Sequence, residues 1–260
     1  KRTDSMGADG RLVLGSEAEV YLVNLLEKLL VPLLSKLGNL VVGGGIWLNT
    51  QRPEWNDANN ALVGQGLSMV TLYYLRRYVS FMHSLLSAET EHFSLSSEVS
   101  DWLAETSAAM SAIRNNIEND QFSPADRYDN LARLGQAADT YRQRVYRQGG
   151  ISGCVDQSIA SVLDLLGDAI IVIDDSIAKN LRQDGLYHAY NLISIEGETV
   201  DVGHLYPMLE GQVAVLSSGA IAPEQAVSVL EALFDSEMFR SDIHTFMLYP
   251  DRALPGFMEK

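Results

Sequence analysis

The sequence predicts an all-α architecture of antiparallel helical hairpins with one small β insertion near residues 187 to 203. Three observations predict it. Apolar residues recur at helical spacing through most of the chain. The segments between these stretches are short, so consecutive helices must run antiparallel. Between Leu186 and Tyr206 the period changes, with Ile193-Ser194-Ile195 alternating ahead of Glu196-Gly197, the pattern of a short hairpin or an ordered loop. Bundles, α-solenoids and (α/α) toroids all satisfy this description. The lack of a fixed sequence period argues against a simple solenoid.

Taken in order, Ser16 with Glu19 forms a capping box and Leu14 can staple onto Val20. Leu22, Leu25, Leu26, Leu29, Leu33 and Leu37 then continue a first helix, kinked at Pro32, to Gly38. A Gly43-Gly44-Gly45 loop follows. A second helix is expected to begin after Asn56 and to run through Leu67, Val70, Tyr74, Tyr78, Met82 and Leu85. A third lies between Glu98 and Asn119, with Val99, Leu103, Ala109, Met110 and Ile113 on its apolar face. The fourth opens at Ser123-Pro124, a cap followed by a residue whose φ suits the first helical position, and ends before Gly149-Gly150. Its last turns carry Arg142, Arg144 and Arg147, which complement the negative end of the helix dipole. Further helices are expected over 156–182, 207–217 and 223–234.

The chain has 260 residues, 47% of them hydrophobic, enough for a large buried core. Asp and Glu number 34 against 19 Lys and Arg, a formal charge of -15 that repels phosphate backbones and anionic lipid. Nucleic acid and membrane surfaces are therefore not expected as partners. Val20 to Leu37, the most apolar stretch, is broken by Asn24, Glu27, Lys28, Ser35 and Lys36, whereas a spanning helix needs ~20 nearly uninterrupted apolar residues. The single cysteine, Cys154, excludes an intramolecular disulfide framework, and a cytoplasmic location is the default expectation.

The densest polar and aromatic cluster runs from Trp47 to Asn60, between two strongly apolar helices. Indole faces stack on sugar rings, while amides and carboxylates match hydroxyls, so Trp beside Asn and Asp is the inventory of a glycan site. The competing reading is a helix start, with Asn56 or Asp57 as cap and Trp55 as staple. Glu54-Trp55-Asn56-Asp57-Ala58-Asn59-Asn60, followed by Val63-Gly64 and Gly66, resembles the Asp-Trp-Asn-Asp-Gly-x-Asn segment of cellobiose-type and chitobiose-type glycoside phosphorylases. Those enzymes are (α/α)6 barrels of the six-hairpin glycosidase superfamily, related in fold to glucoamylase-like hydrolases. The resemblance implies that Asp57 is the general acid and that Trp55 lines the sugar site. It also implies inverting cleavage of a glycosidic bond in an oligosaccharide or glycoside substrate, with no cofactor beyond inorganic phosphate if the enzyme is a phosphorylase. Glu54 replaces the first Asp and Ala58 a Gly. Gly66-Leu67-Ser68-Met69-Val70 stands where the phosphorylases carry Gly-Glu-Ser-Val-Trp, so hydrolysis and phosphorolysis both stay open.

Trp47, Arg52, Glu54, Asn59, Asn60 and Gln212 complete the expected sugar contacts, and Glu210 is the candidate for a distant base or sugar ligand. The alternative for Glu210 is an exposed helix residue. His83, His92, His188, His204 and His244 show no paired ligand spacing, so no zinc site is expected. Gly43-Gly44-Gly45 lacks a following Lys-Ser or Lys-Thr, which disfavours a nucleotide loop. A full six-hairpin barrel needs twelve helices, and at ~11 to 12 residues each plus loops 260 residues is short. Residues 1–260 are thus expected to be one helical domain belonging to a longer catalytic domain, with the remainder of the parent chain as a partner. The rival expectation is a non-catalytic helical interaction module or an inactive fragment.

Overall fold

The computed structural model describes residues 2–15, 19–49, 62–119, 121–147, 150–251, 256 and 258. In chain order the elements are α1 (Arg2–Met6), α2 (Leu25–Leu37), β1 (Leu40–Val41), β2 (Gly45–Trp47), β3 (Gly66–Ser68), α3 (Met69–Leu86), β4 (His92–Ser96), α4 (Ser97–Glu118) and α5 (Pro124–Arg147). They continue with β5 (Cys154–Ser158), α6 (Ile159–Ala178), β6 (Tyr190–Glu196), β7 (Thr199–His204), α7 (Leu209–Ser218), α8 (Pro223–Phe234), β8 (Phe239–Arg240) and β9 (Thr245–Phe246). Two compact units result, Lys1–Leu40 with Val79–Val172, and Val41–Tyr78 with Ile173–Lys260.

The all-α expectation is overturned. The fold is mixed, with a five-stranded sheet of order β1-β2-β3-β6-β7 and a β4-β5 pair. The segment between Leu186 and Tyr206 does hold a hairpin, but it is no insertion among helices: β6 pairs β3, which pairs β2. Two physical reasons hid the sheet. Strands of two or three residues carry no readable alternation, and their partners lie far off in sequence, as Leu67 opposite Asn191 shows. Cys154–Ser158, whose last three residues were expected to be helix, is instead held by pairing with His92–Ser96.

In the first unit, α2 starts later than Ser16 and Glu19 suggested. Asn24 is the cap, its side chain accepting from the Glu27 amide at 2.9 Å, while Leu14 and Val20 face each other across an isolated antiparallel bridge. Leu30, Leu33, Leu34 and Leu37 are buried along one stripe of α2, each stabilising the fold by about 2 kcal/mol relative to exposure. α4 and α5 form an antiparallel hairpin in which Trp102 stacks on Tyr141 with centroids 4.5 Å apart. Ser123 and Asp126 close the start of α5 as a capping box.

Two buried glutamates clamp the same end of the β4-β5 pair, where Ser96 lies opposite Cys154. Glu27 accepts from the Ser96 amide at 3.0 Å and from its hydroxyl at 2.5 Å. Glu98 accepts the same two groups of Ser152 at 3.1 and 2.5 Å. Both carboxylates also bear on Tyr141, whose phenol is pushed up to about 12, chiefly by burial and then by Tyr146 and these acids.

In the second unit the Gly43-Gly44-Gly45 run is explained by packing. Gly43 and Gly45 hold φ of 76° and 121°, and a Cβ on Gly44 would lie 2.5 Å from the Leu67 side chain. Arg76 grips Asp174 with two nitrogens at 3.0 and 3.1 Å and donates to the Gly219 carbonyl at 2.8 Å. No helix among the described residues is long and apolar enough to cross a membrane.

Candidate functional site

The stretch singled out in the sequence leaves the second unit's sheet at the end of β2 and returns at β3. Its two ends are fastened together. The Leu48 amide donates to the Gly66 carbonyl at 2.9 Å, the Gly64 amide to the Leu48 carbonyl at 2.6 Å, and the Trp47 indole to the Gly64 carbonyl at 3.1 Å. Trp47 is therefore half-buried on β2 with its ring nitrogen engaged. Arg52, Glu54, Trp55, Asp57, Asn59 and Asn60, and with them the acid and most expected sugar contacts, lie outside the described residues.

Leu48 and Leu62, at the two ends of this connection, both pack against a cluster of Ala189, Tyr190 and Met208, joined by Val70, Leu205 and Tyr206. Tyr190 opens β6 and its hydroxyl donates to Glu210 Oε2 at 3.0 Å. Glu210 sits in the first turn of α7, half-buried, where the helix dipole favours an acid. Tyr206 lies edge-on to Tyr249, centroids 6.3 Å apart. The structure thus brings Glu210 to the cluster that seats both ends of the connection.

Gln212 is a correction. Expected to contact sugar, it is fully buried, and its amide is taken up by the backbone: it accepts from Tyr187 N at 2.8 Å and donates to Tyr187 O at 2.7 Å and Met208 O at 3.0 Å. Facing inward from α7, it fixes the chain just ahead of β6.

Sequence reasoning missed a polar relay beside this region. The Gly43 amide donates to Ser176 Oγ at 3.0 Å, and Asn180 Nδ2 donates to the carbonyls of Gly43 and Ser176 at 2.9 and 2.8 Å. Asn191 Nδ2 donates to Asn180 Oδ1 at 2.7 Å and to Gly44 O at 2.8 Å, and Asn191 Oδ1 meets His204 Nδ1 at 2.8 Å. His204 stacks on His188, ring centroids 4.2 Å apart and 10° from parallel, and His188 Nδ1 lies 3.2 Å from Leu205 O. Burial depresses His188 to about 4, assisted by His204 and Arg182, and lowers His204 with Arg182 as the second cause. A signal for the pair existed in the sequence. A two-residue turn at Gly197-Glu198, with Gly197 at φ 60°, sets a register that places Asn191 opposite His204.

Described residues line two other concavities. One, of about 790 Å³, runs in the first unit between α4 and α6 past Ser107, Ser111 and Asp164. The other, of about 820 Å³, lies in the second unit around Arg182, Asp184, Tyr206 and Glu231. Among the described residues, no group of three or more His, Cys, Asp or Glu side chains is placed to hold a metal ion. No protein-family model matches the chain, and no curated protein is similar to it.

Proposed function

We propose that the chain carries the sugar site of an enzyme that cleaves glycosidic bonds with inversion, by water or by phosphate, as the resemblance of its Glu54-to-Asn60 segment to that of glycoside phosphorylases implies. In this reading Asp57 protonates the leaving oxygen, Trp55 stacks on the sugar, and Arg52, Glu54, Asn59 and Asn60 bind hydroxyls. Glu210 is the second carboxylate, acting as base or sugar ligand. One observation carries it: both ends of the connection bearing Trp55 and Asp57 pack on the cluster whose Tyr190 holds Glu210. Inverting hydrolysis needs two carboxyls ~6.5 to 9.5 Å apart, one giving a proton and one activating water; phosphate replaces the second role in a phosphorylase. Tyr206, half-buried on that cluster, and the exposed Tyr249 set edge-on to it offer aromatic surface suited to the apolar face of a sugar ring, while Tyr190 is buried beneath and holds Glu210.

Asp57→Asn tests the acid. It keeps shape and most hydrogen bonding but cannot release a proton, so turnover should fall ~10²- to 10⁴-fold while sugar binding survives. Release of reducing sugar, or of sugar phosphate when phosphate is supplied, measures it. If Asp57 only caps a helix, Asn serves equally well and any turnover persists. Thermal shift with oligosaccharides separates both readings from a non-catalytic module, which no sugar would stabilise.

A further inference from the structure

The relay that ends on His204 has a direction. Asn180 Nδ2 spends its hydrogens on the Gly43 and Ser176 carbonyls, so its Oδ1 is an acceptor. Asn191 Nδ2 gives one hydrogen to that oxygen and the other to the Gly44 carbonyl. The backbone carbonyls cannot donate, so neither amide can be flipped. Asn191 Oδ1 must then accept, and His204 Nδ1 must carry the hydrogen. In the neutral ring Nε2 is left with a lone pair.

His204 stands at the end of β7, the last strand of the sheet order, and its side chain is exposed. Among the described residues nothing bonds its Nε2. His188 supports one face of the ring, and burial with the nearby Arg182 lowers the tendency of the ring to take a proton. A neutral imidazole held rigidly, with its donor engaged below and its acceptor turned away from the relay, is built to receive a hydroxyl. To an anion or a phosphate the neutral ring offers no donor at Nε2.

We propose that His204 is a ligand-binding residue whose Nε2 accepts a hydrogen bond from a hydroxyl of a bound sugar. This rests on the glycoside reading above, and names one contact of that site. The relay of Asn180 and Asn191 positions the ring.

The test is histidine ¹H–¹⁵N NMR of the chain, with thermal shift, in the presence of cellobiose and of diacetylchitobiose. The His204 hydrogen should sit on Nδ1, and the sugar that raises the melting temperature should move the Nε2 resonance. His204→Asn keeps a donor for Asn191 but lacks the distal acceptor, so it should fold as before and bind that sugar about tenfold more weakly, the loss of one neutral hydrogen bond. His204→Gln, which keeps an acceptor but abandons Asn191, should lose stability. A hydrogen on Nε2 overturns the proposal. So does a sugar that raises the melting temperature while leaving Nε2 unmoved, an outcome that spares the glycoside reading. If neither sugar, nor any longer oligosaccharide of the two series, raises the melting temperature, the glycoside reading falls and this contact with it. The spectra of the unaltered chain decide the matter even if His204→Asn fails to fold.

Discussion

The two units bury polar groups in opposite ways. In the first, Glu27 and Glu98 each take the amide and the hydroxyl of one serine, and the Ser96 hydroxyl also meets Tyr21, whose phenol lies 3.3 Å from the Cys154 sulfur. In the second, Asn180 and Asn191 both give and accept, so their bonding runs on until it reaches an exposed imidazole. A carboxylate only accepts, so Glu27 and Glu98 gather donors, Glu98 on Oε1 alone with its Oε2 buried and without a hydrogen bond, whereas an amide both accepts and donates and so carries a direction from one group to the next. Buried acids here gather donors from a serine; buried amides fix the direction of the bonds that leave them.

The sharpest break of that contrast is Glu27→Ala. Two hydrogen bonds to a charged group are worth about 1.5 to 3 kcal/mol each, and the Ser96 amide would be left buried without its acceptor while the hydroxyl keeps only Tyr21, so a loss of about 3 to 4 kcal/mol is expected in urea unfolding. A loss below about 1 kcal/mol would mean that the Glu27 contact with Ser96 is dispensable.

Acid strikes the second unit instead, through His188. Its folded value of about 4 lies below the unfolded value of ~6.5, so between these limits the unfolded state binds more protons. Stability from this group is complete above about pH 6.5 and declines as pH falls toward 4, by about 2 to 3 kcal/mol. His188→Asn, which retains a donor for Leu205 O, should flatten the curve over that window relative to the parent chain. An unchanged slope would exclude His188 as its source.

Gln212→Leu should cost about 2 kcal/mol, since it strands the amide and carbonyl of Tyr187. Sugar binding should survive it, in contrast to the first expectation for this residue. The smallest effect is expected at the turn: Gly197→Ala forces a side chain onto φ 60° and should lower the melting temperature by a few degrees, about 1 kcal/mol.

How much of this was legible follows the range of the interactions. Helices fixed by their own next turn were read within a few residues, as at Pro124–Arg147 and Pro223–Phe234. The start of α2 was misplaced because Asn24 with Glu27 offers the same spacing signal as Ser16 with Glu19, and the winner is decided by Ser96 and Ser94, about seventy residues away. The sheet was missed for the same reason: β3 has three residues, and what makes it a strand is Asn191 on one side and Trp47 on the other. Within the site, Glu210 stood out as an acid in an apolar stretch, but Tyr190 did not, since nothing local announces that its hydroxyl will meet Glu210. Gln212 was misjudged because a polar residue beside a candidate acid reads as a ligand until its amide is seen bonded to Tyr187.

The fixed direction of the relay also constrains how such sequences can drift. An aspartate at 191 would aim oxygen at Asn180 Oδ1 and at the Gly44 carbonyl, and a leucine would strand His204 Nδ1. Changing one neighbour repairs only one of those faults. Asn180, Asn191 and His204 should therefore persist or vanish together among descendants of this sequence, as three letters of one word, while Glu27 and Ser96 can be exchanged as a pair.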